Sequence, residues 1–218
     1  MAESIVFIDS EVRVSDKKIA DLGAVKEDTT QFHSPSIRDF SAFIADATFL
    51  CGHNIVHHDL RYLRPLLAQP LSAKPIDTLY LSPLLFPERP YHALLKDDKL
   101  QTDELNNPLN DAEKARKLFY DEVNAFSELP ARRKEIYYGL LNSFEEFQGF
   151  FAFMKYHPLF PMPERAIRRE FSGKICENAN LHPLISGRPV ELAYALALIG
   201  CNDYHSVTPP WVTQNYPA

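Results

Sequence analysis

Only three cysteines, Cys51, Cys176 and Cys201, occur in 218 residues. An odd number at long spacings excludes a disulfide framework and a zinc ribbon, and reads as reduced, packed thiols of an intracellular protein. Long apolar runs are missing too; the longest fall well short of the ~20 residues a membrane span needs. The acidic start MAESIVFID passes straight into a strand pattern, unlike a signal peptide. These absences predict a cytoplasmic protein with no membrane partner. Positive charge is also in deficit, because 23 Lys and Arg against 29 Asp and Glu leave a formal net charge of −6. Such a chain has no general attraction for nucleic acid and needs a local basic patch to bind any. No internal repeat or low-complexity stretch is present, and no G-x-x-x-x-G-K-S/T phosphate loop occurs.

Hydrophobic residues make up 45% of the chain and charged residues 24%, the balance of a globular protein. Residues 4–12 and 17–26 read as two strands joined by a polar turn, and TTQFHS as a third. A serine then precedes a helical pattern carrying Ile37, Phe40, Phe43 and Ile44. TFLCGHN reads as a strand closed by glycine, and NIVHHDLRYLRPLL as a helix with Ile55, Leu60, Leu63 and Leu67 on one stripe. IDTLYLSPLLF and HALLKDD read as further helices. NDAEKARKLFYDEVNAF reads as a helix with Asn110 as its N-cap. Beyond residue 126 strand patterns stop: LPARRKEIYYGLLNSFEEFQGFFAFMKY reads as one long helix, and GRPVELAYALALIG as another. The expected architecture is an α/β mixed sheet flanked by helices over residues 1–126, then a smaller all-helical region with a linker over 127–218. The proline-rich tail HSVTPPWVTQNYPA reads as a connection, so the chain is expected to continue into a longer protein.

Within this frame acidic residues recur at the ends of apolar elements. Asp9 and Glu11 lie two apart on the first strand and therefore share a face. Asp59 follows the HH of GHNIVHHD, about one turn into its helix, and Asp111 heads the NDAEKA helix. Four carboxylates converging on one cleft stay ionised only with cations between them. An all-oxygen donor set suits Mg²⁺ or Mn²⁺, and two such ions ~3.5–4 Å apart clamp the attacking and leaving oxygens of a phosphodiester.

Over residues 4–126 the chain resembles the DnaQ-like, or DEDD, 3′–5′ exonucleases of ribonuclease H-like fold. The likeness rests on FIDSE, GHNIVHHDLRYL and DAEKA in that order, with IDTLYLSPLLFPERPYHAL linking them. It implies that Asp9, Glu11, Asp59 and Asp111 hold two Mg²⁺ or Mn²⁺ ions and that the substrate is a single-stranded nucleic-acid 3′ end. It also implies nucleotide contacts from Ser10, Val12, His53, Asn54 and Asn106. The family's histidine branch carries its general base five residues before the last aspartate, where this chain has Asn106. Asparagine cannot take that proton. One resolution makes His92 and Asp97, in HALLKD, the third motif. The preferred one keeps Asp111 as ligand and lets His92 supply the base from another chain position.

Two other readings compete. A catalytically silent nucleic-acid-binding module would tolerate Asn106. An HD-type phosphohydrolase would use His53 and His57, four apart, as zinc ligands, but that fold is all-helical. The segments PYHALLKDDKLQTDELNNPLNDA and VELAYALALIGCNDYHSVTPPWV together resemble the N-terminal part of large bacterial RecQ-family DNA helicases. That likeness favours DNA over RNA and implies a C-terminal helicase domain as partner, its motor lying outside these residues. The clusters ARRK (131–134) and RAIRR (165–169) read as solvated helix faces, with phosphate contact as the alternative. Phe144, Phe147 and Phe151 read as core.

Overall fold

The computed structural model describes residues 4–13, 15–92, 94 and 107–201. Asp97, Asn106, most of HALLKDD and the tail from residue 202 lie outside the described residues. The chain is α/β. Five strands, β1 (Ile5–Val12), β2 (Ile19–Lys26), β3 (Gln31–His33), β4 (Phe49–Gly52) and β5 (Lys74–Asp77), form one sheet in the order β3-β2-β1-β4-β5. The first three pair antiparallel, whereas β4 runs parallel to both β1 and β5. This is the mixed sheet expected, and it excludes the all-helical HD-type alternative.

Alternation along β1 sorts its side chains between two cores. Ile5 and Phe7 join a large cluster with Phe49, Phe119 and Phe150, while Val6 and Ile8 join a smaller one with Leu22, Phe40 and Leu60. The helix α1 (Ile37–Phe43) and the short α2 (Asp59–Leu63) contribute to the smaller core. The larger core is roofed by α3 (Thr78–Leu85), α4 (Pro108–Glu128), α5 (Ala131–Leu141) and α6 (Glu145–Phe153), followed by α7 (Pro163–Glu170), α8 (His182–Gly187) and α9 (Pro189–Gly200). Phe147, Phe150 and Phe151 of α6 are essentially fully buried, each stabilising by roughly 1.5–3 kcal/mol.

Several local expectations need correction. Residues 74–77 form an edge strand that the sequence reading lacked, and Asp77 at its end caps the helix expected in IDTLYLSPLLF. Pro75 is tolerated there because an edge position need not donate to a second neighbour. The long helix expected over 129–156 is two, α5 and α6, interrupted where the Asn142 side chain donates to the Tyr138 carbonyl at 2.6 Å. Asn107, not Asn110, caps α4, its Oδ1 accepting from Leu109 N at 3.0 Å with Pro108 at the first helical position. Asp59 is the first residue of α2, not one turn inside it. The preceding segment is held in turns because the buried Asp77 carboxylate accepts from Asn54 N at 2.9 Å and Val56 N at 3.1 Å. No helix among the described residues is long and apolar enough to cross a membrane.

Candidate metal centre

Asp9 and Glu11 project from the end of β1 on the face that carries Ile5 and Phe7, the face covered by α4. What brings Asp111 to them is a glycine that sequence reasoning passed over. Gly23 of β2 pairs directly with Asp9, and the first turn of α4 rests on its bare Cα. A Cβ built there would lie 2.2 Å from Leu109 N and 2.2 Å from the Pro108 carbonyl carbon. Cross-strand partners share a face, so α4 starts beside Asp9 and delivers Asp111 within its first turn. The result is a cluster in which one ligand oxygen from each of Asp9, Glu11 and Asp111 lies within 4.8 Å of the others. All three side chains are partly solvent-accessible, as an ion exchanging with water requires. Lys114, one turn along α4, places Nζ 3.4 Å from Asp111 Oδ1.

Asp59 stands apart from that trio. It is wholly buried, its Oδ1 accepts from Ser10 Oγ at 2.6 Å, and its Oδ2 has no hydrogen-bond partner among the described residues. Ser10 alternates with Asp9 and Glu11, so Asp59 meets β1 from the opposite face. An orphaned carboxylate oxygen inside a protein is costly, and a cation or a water at the strand end would satisfy it. His58 Nδ1 lies 3.7 Å from Asp59 Oδ1, and this neighbouring carboxylate raises the imidazole above its ordinary range.

His53 feels the Asp111 charge, and His92 neighbours His53. His53 contacts Thr78 Oγ1 through Nδ1 at 2.9 Å, and its buried Nε2 has no hydrogen-bond partner among the described residues. Burial pushes it down to about 4 against the upward pull of Asp111, so it is neutral at physiological pH. His92 contacts Ser82 Oγ through Nδ1 at 3.0 Å and is also lowered by burial. His57 faces elsewhere, with Nε2 2.8 Å from Glu146 Oε1. His53 and His57 therefore do not converge as zinc ligands. Asn54 adopts a left-handed φ of 64° at the turn, while Val12 follows a bulge in the β1–β2 register after Glu11. That irregularity ends the strand at the acids.

The donor set fits hard divalent ions: carboxylate oxygens from Asp9, Glu11 and Asp111, without the Asp59 that the sequence expectation had included. Among the described residues it is also the only group of three or more His, Cys, Asp or Glu close enough to share an ion. Comparison with family models, with curated proteins and with solved structures found no match. The residues themselves carry the functional reading.

Proposed function

We propose that the chain is a metal-dependent 3′–5′ exonuclease of the DnaQ-like kind, trimming single-stranded nucleic acid, with DNA preferred over RNA. The observation that supports it is the convergence of Asp9, Glu11 and Asp111 oxygens within 4.8 Å from one strand and one helix. Mg²⁺ or Mn²⁺ bound there would activate water and neutralise the oxygen that leaves the scissile phosphate. The chain's own groups would do the rest. Asp9, Glu11 and Asp111 would hold the ions, while Ser10 fixes the buried Asp59 behind them through its Oδ1. His92 is neutral at physiological pH, and in the tautomer whose Nδ1–H donates to Ser82 its Nε2 is a proton acceptor. Bond cleavage would release a nucleoside 5′-monophosphate and leave a strand one nucleotide shorter. A helicase domain C-terminal to this chain would supply that strand by unwinding.

One observation favours the silent-module reading. Lys114 already lies 3.4 Å from Asp111 and could stand in for an ion. Oligonucleotides of DNA and RNA, labelled at the 5′ end and incubated with Mn²⁺, separate the two. The exonuclease gives a ladder shortening from the 3′ end, absent in EDTA and in Asp9→Asn. Binding with no shortening in either Mg²⁺ or Mn²⁺ leaves the silent module.

A further inference from the structure

The loop between α6 and α7 displays apolar side chains where most proteins hide them. Leu159 and Phe160 are each 87% exposed and Met162 is 56% exposed. Three large apolar groups in four residues, open to water, mark an interaction surface more often than chance. Phe160 is also held at φ 53°, although the following Pro161 biases it toward extended backbone and a bulky residue rarely adopts that region. The loop is braced where Pro161 and Pro163 pack against Gly139 of α5; a Cβ on Gly139 would lie 3.2 Å from Pro163. Phe160 is thus presented by a stiff support.

Beside it, Arg165 and Arg169 lie four apart on α7 and share a face. Both are exposed, and among the described residues neither forms an ion pair or hydrogen bond. The neighbouring arginines are occupied differently. Arg168 is tied to Glu164 and to the carbonyls of Glu177 and Ala179, and Arg133 to Glu170. Arg132 of α5, its Nη1 3.5 Å from Glu170 Oε2, joins Arg165, Arg169, Phe160, Met162 and a single acid, Glu135, around a cavity of about 220 Å³. Arg165 and Arg169 also border a broader depression of about 630 Å³ on the far side, towards His182 and Ile185 of α8. The two guanidinium groups form a ridge between two hollows. On a chain of net charge −6, this is the local basic patch that binding of a polyanion requires.

We propose that this surface binds single-stranded nucleic acid, with phosphates held by Arg132, Arg165 and Arg169 and one base stacked on Phe160. A compact anion would need only one hollow, whereas hollows on both sides of the arginine ridge suit a linear strand. Guanidinium forks match phosphate oxygens, and an exposed ring offers a platform that any base can use. The proposal extends the exonuclease reading by giving the strand a hold away from the acids, yet its test does not require cleavage.

Anisotropy of a fluorescein-labelled oligo-dT in EDTA measures it on the whole chain. Arg165→Gln combined with Arg169→Gln should weaken binding at least about tenfold and reduce the slope of log K against log salt by about 1.4, roughly 0.7 for each lost contact. Phe160→Ala should weaken it by about tenfold with little change in that slope. EDTA removes divalent ions, so binding is read with the acids empty and failure of the metal-site reading would not mimic failure of this one. Parent-like binding by the arginine or Phe160 variants overturns the proposal. So does no binding by the parent, or displacement of the oligonucleotide by polyglutamate of equal charge as readily as by unlabelled oligo-dT. Association with anionic phosphatidylserine vesicles in place of the oligonucleotide, lost in Phe160→Ala, also overturns it and makes the loop a membrane contact.

Discussion

At the scale of single residues, the acids owe their behaviour to where water can and cannot reach. Asp9, Glu11 and Asp111 keep partial access and can exchange an ion, whereas Asp59 is sealed and depends on Ser10. His53 is the residue with the clearest pH signature. An unfolded histidine takes up a proton near pH 6.5, but the folded one does so only at about 4 because burial opposes the charge. Between those values the unfolded state binds more protons, so stability rises with pH and is lost as pH falls from 6.5 towards 4. At pH 5 the loss from this group is about 2 kcal/mol. Urea midpoints at pH 7 and pH 5 should therefore converge in His53→Gln relative to the parent. An equal acid-induced drop in both would show that His53 is not held neutral.

At the scale of elements, the site depends on one contact between a helix and a strand. Replacing Gly23 with valine forces α4 away from β2, since even a Cβ would overlap Leu109 and Pro108. Overpacking of this kind costs about 1–3 kcal/mol, and here it also moves Asp111 off the β1 acids. The variant should melt several degrees lower and lose Mn²⁺ affinity together. Gly187→Ala, which has open space around its Cα, should change neither; parent-like Mn²⁺ binding by Gly23→Val would refute this account of the geometry. The β1 pair was legible in the sequence because alternation on a strand is a local rule. The α4 helix and Asp111 were legible because amphipathic periodicity is local too. Their meeting was expected from the family resemblance, but its physical cause was not legible, because it rests on the missing side chain of Gly23, eighty-odd residues away from Asp111 in the sequence. β5 was hidden for a related reason. Its Pro75 reads as a breaker, and only an edge position with α6 pressed against the strand makes it acceptable: a Cβ on Gly149 would lie 2.0 Å from the Pro75 carbonyl oxygen. Asp77 reads locally as a helix start, which it is, yet its carboxylate also fixes the turn leading to Asp59.

At the scale of the whole molecule, one apolar cluster runs from the sheet through α4 into the later helices, and it contains a conspicuous cost. Glu122 of α4 is 0% exposed and neither carboxyl oxygen has a hydrogen-bond partner among the described residues. Burial pushes its carboxyl well above the usual range, with the Asp77 charge adding to the effect. The folded state keeps that proton where the unfolded chain has lost it, so the contribution is full below about pH 4.5 and declines as pH rises. Glu122→Leu should raise stability at pH 7 by roughly 1–3 kcal/mol, the penalty of an unsatisfied buried group, and flatten the fall between pH 4.5 and 7. A destabilised variant would mean that the carboxyl has a partner in solution. The central claim, however, is that acids carried by separate elements form one cation site, and calorimetric titration with Mn²⁺ tests it most directly. The account predicts saturation at two ions per chain, falling to one or none in Asp9→Asn and in Asp111→Asn while the circular dichroism spectrum stays unchanged. A parent protein that takes up no Mn²⁺ at millimolar concentration, or an identical isotherm in both variants, would contradict it.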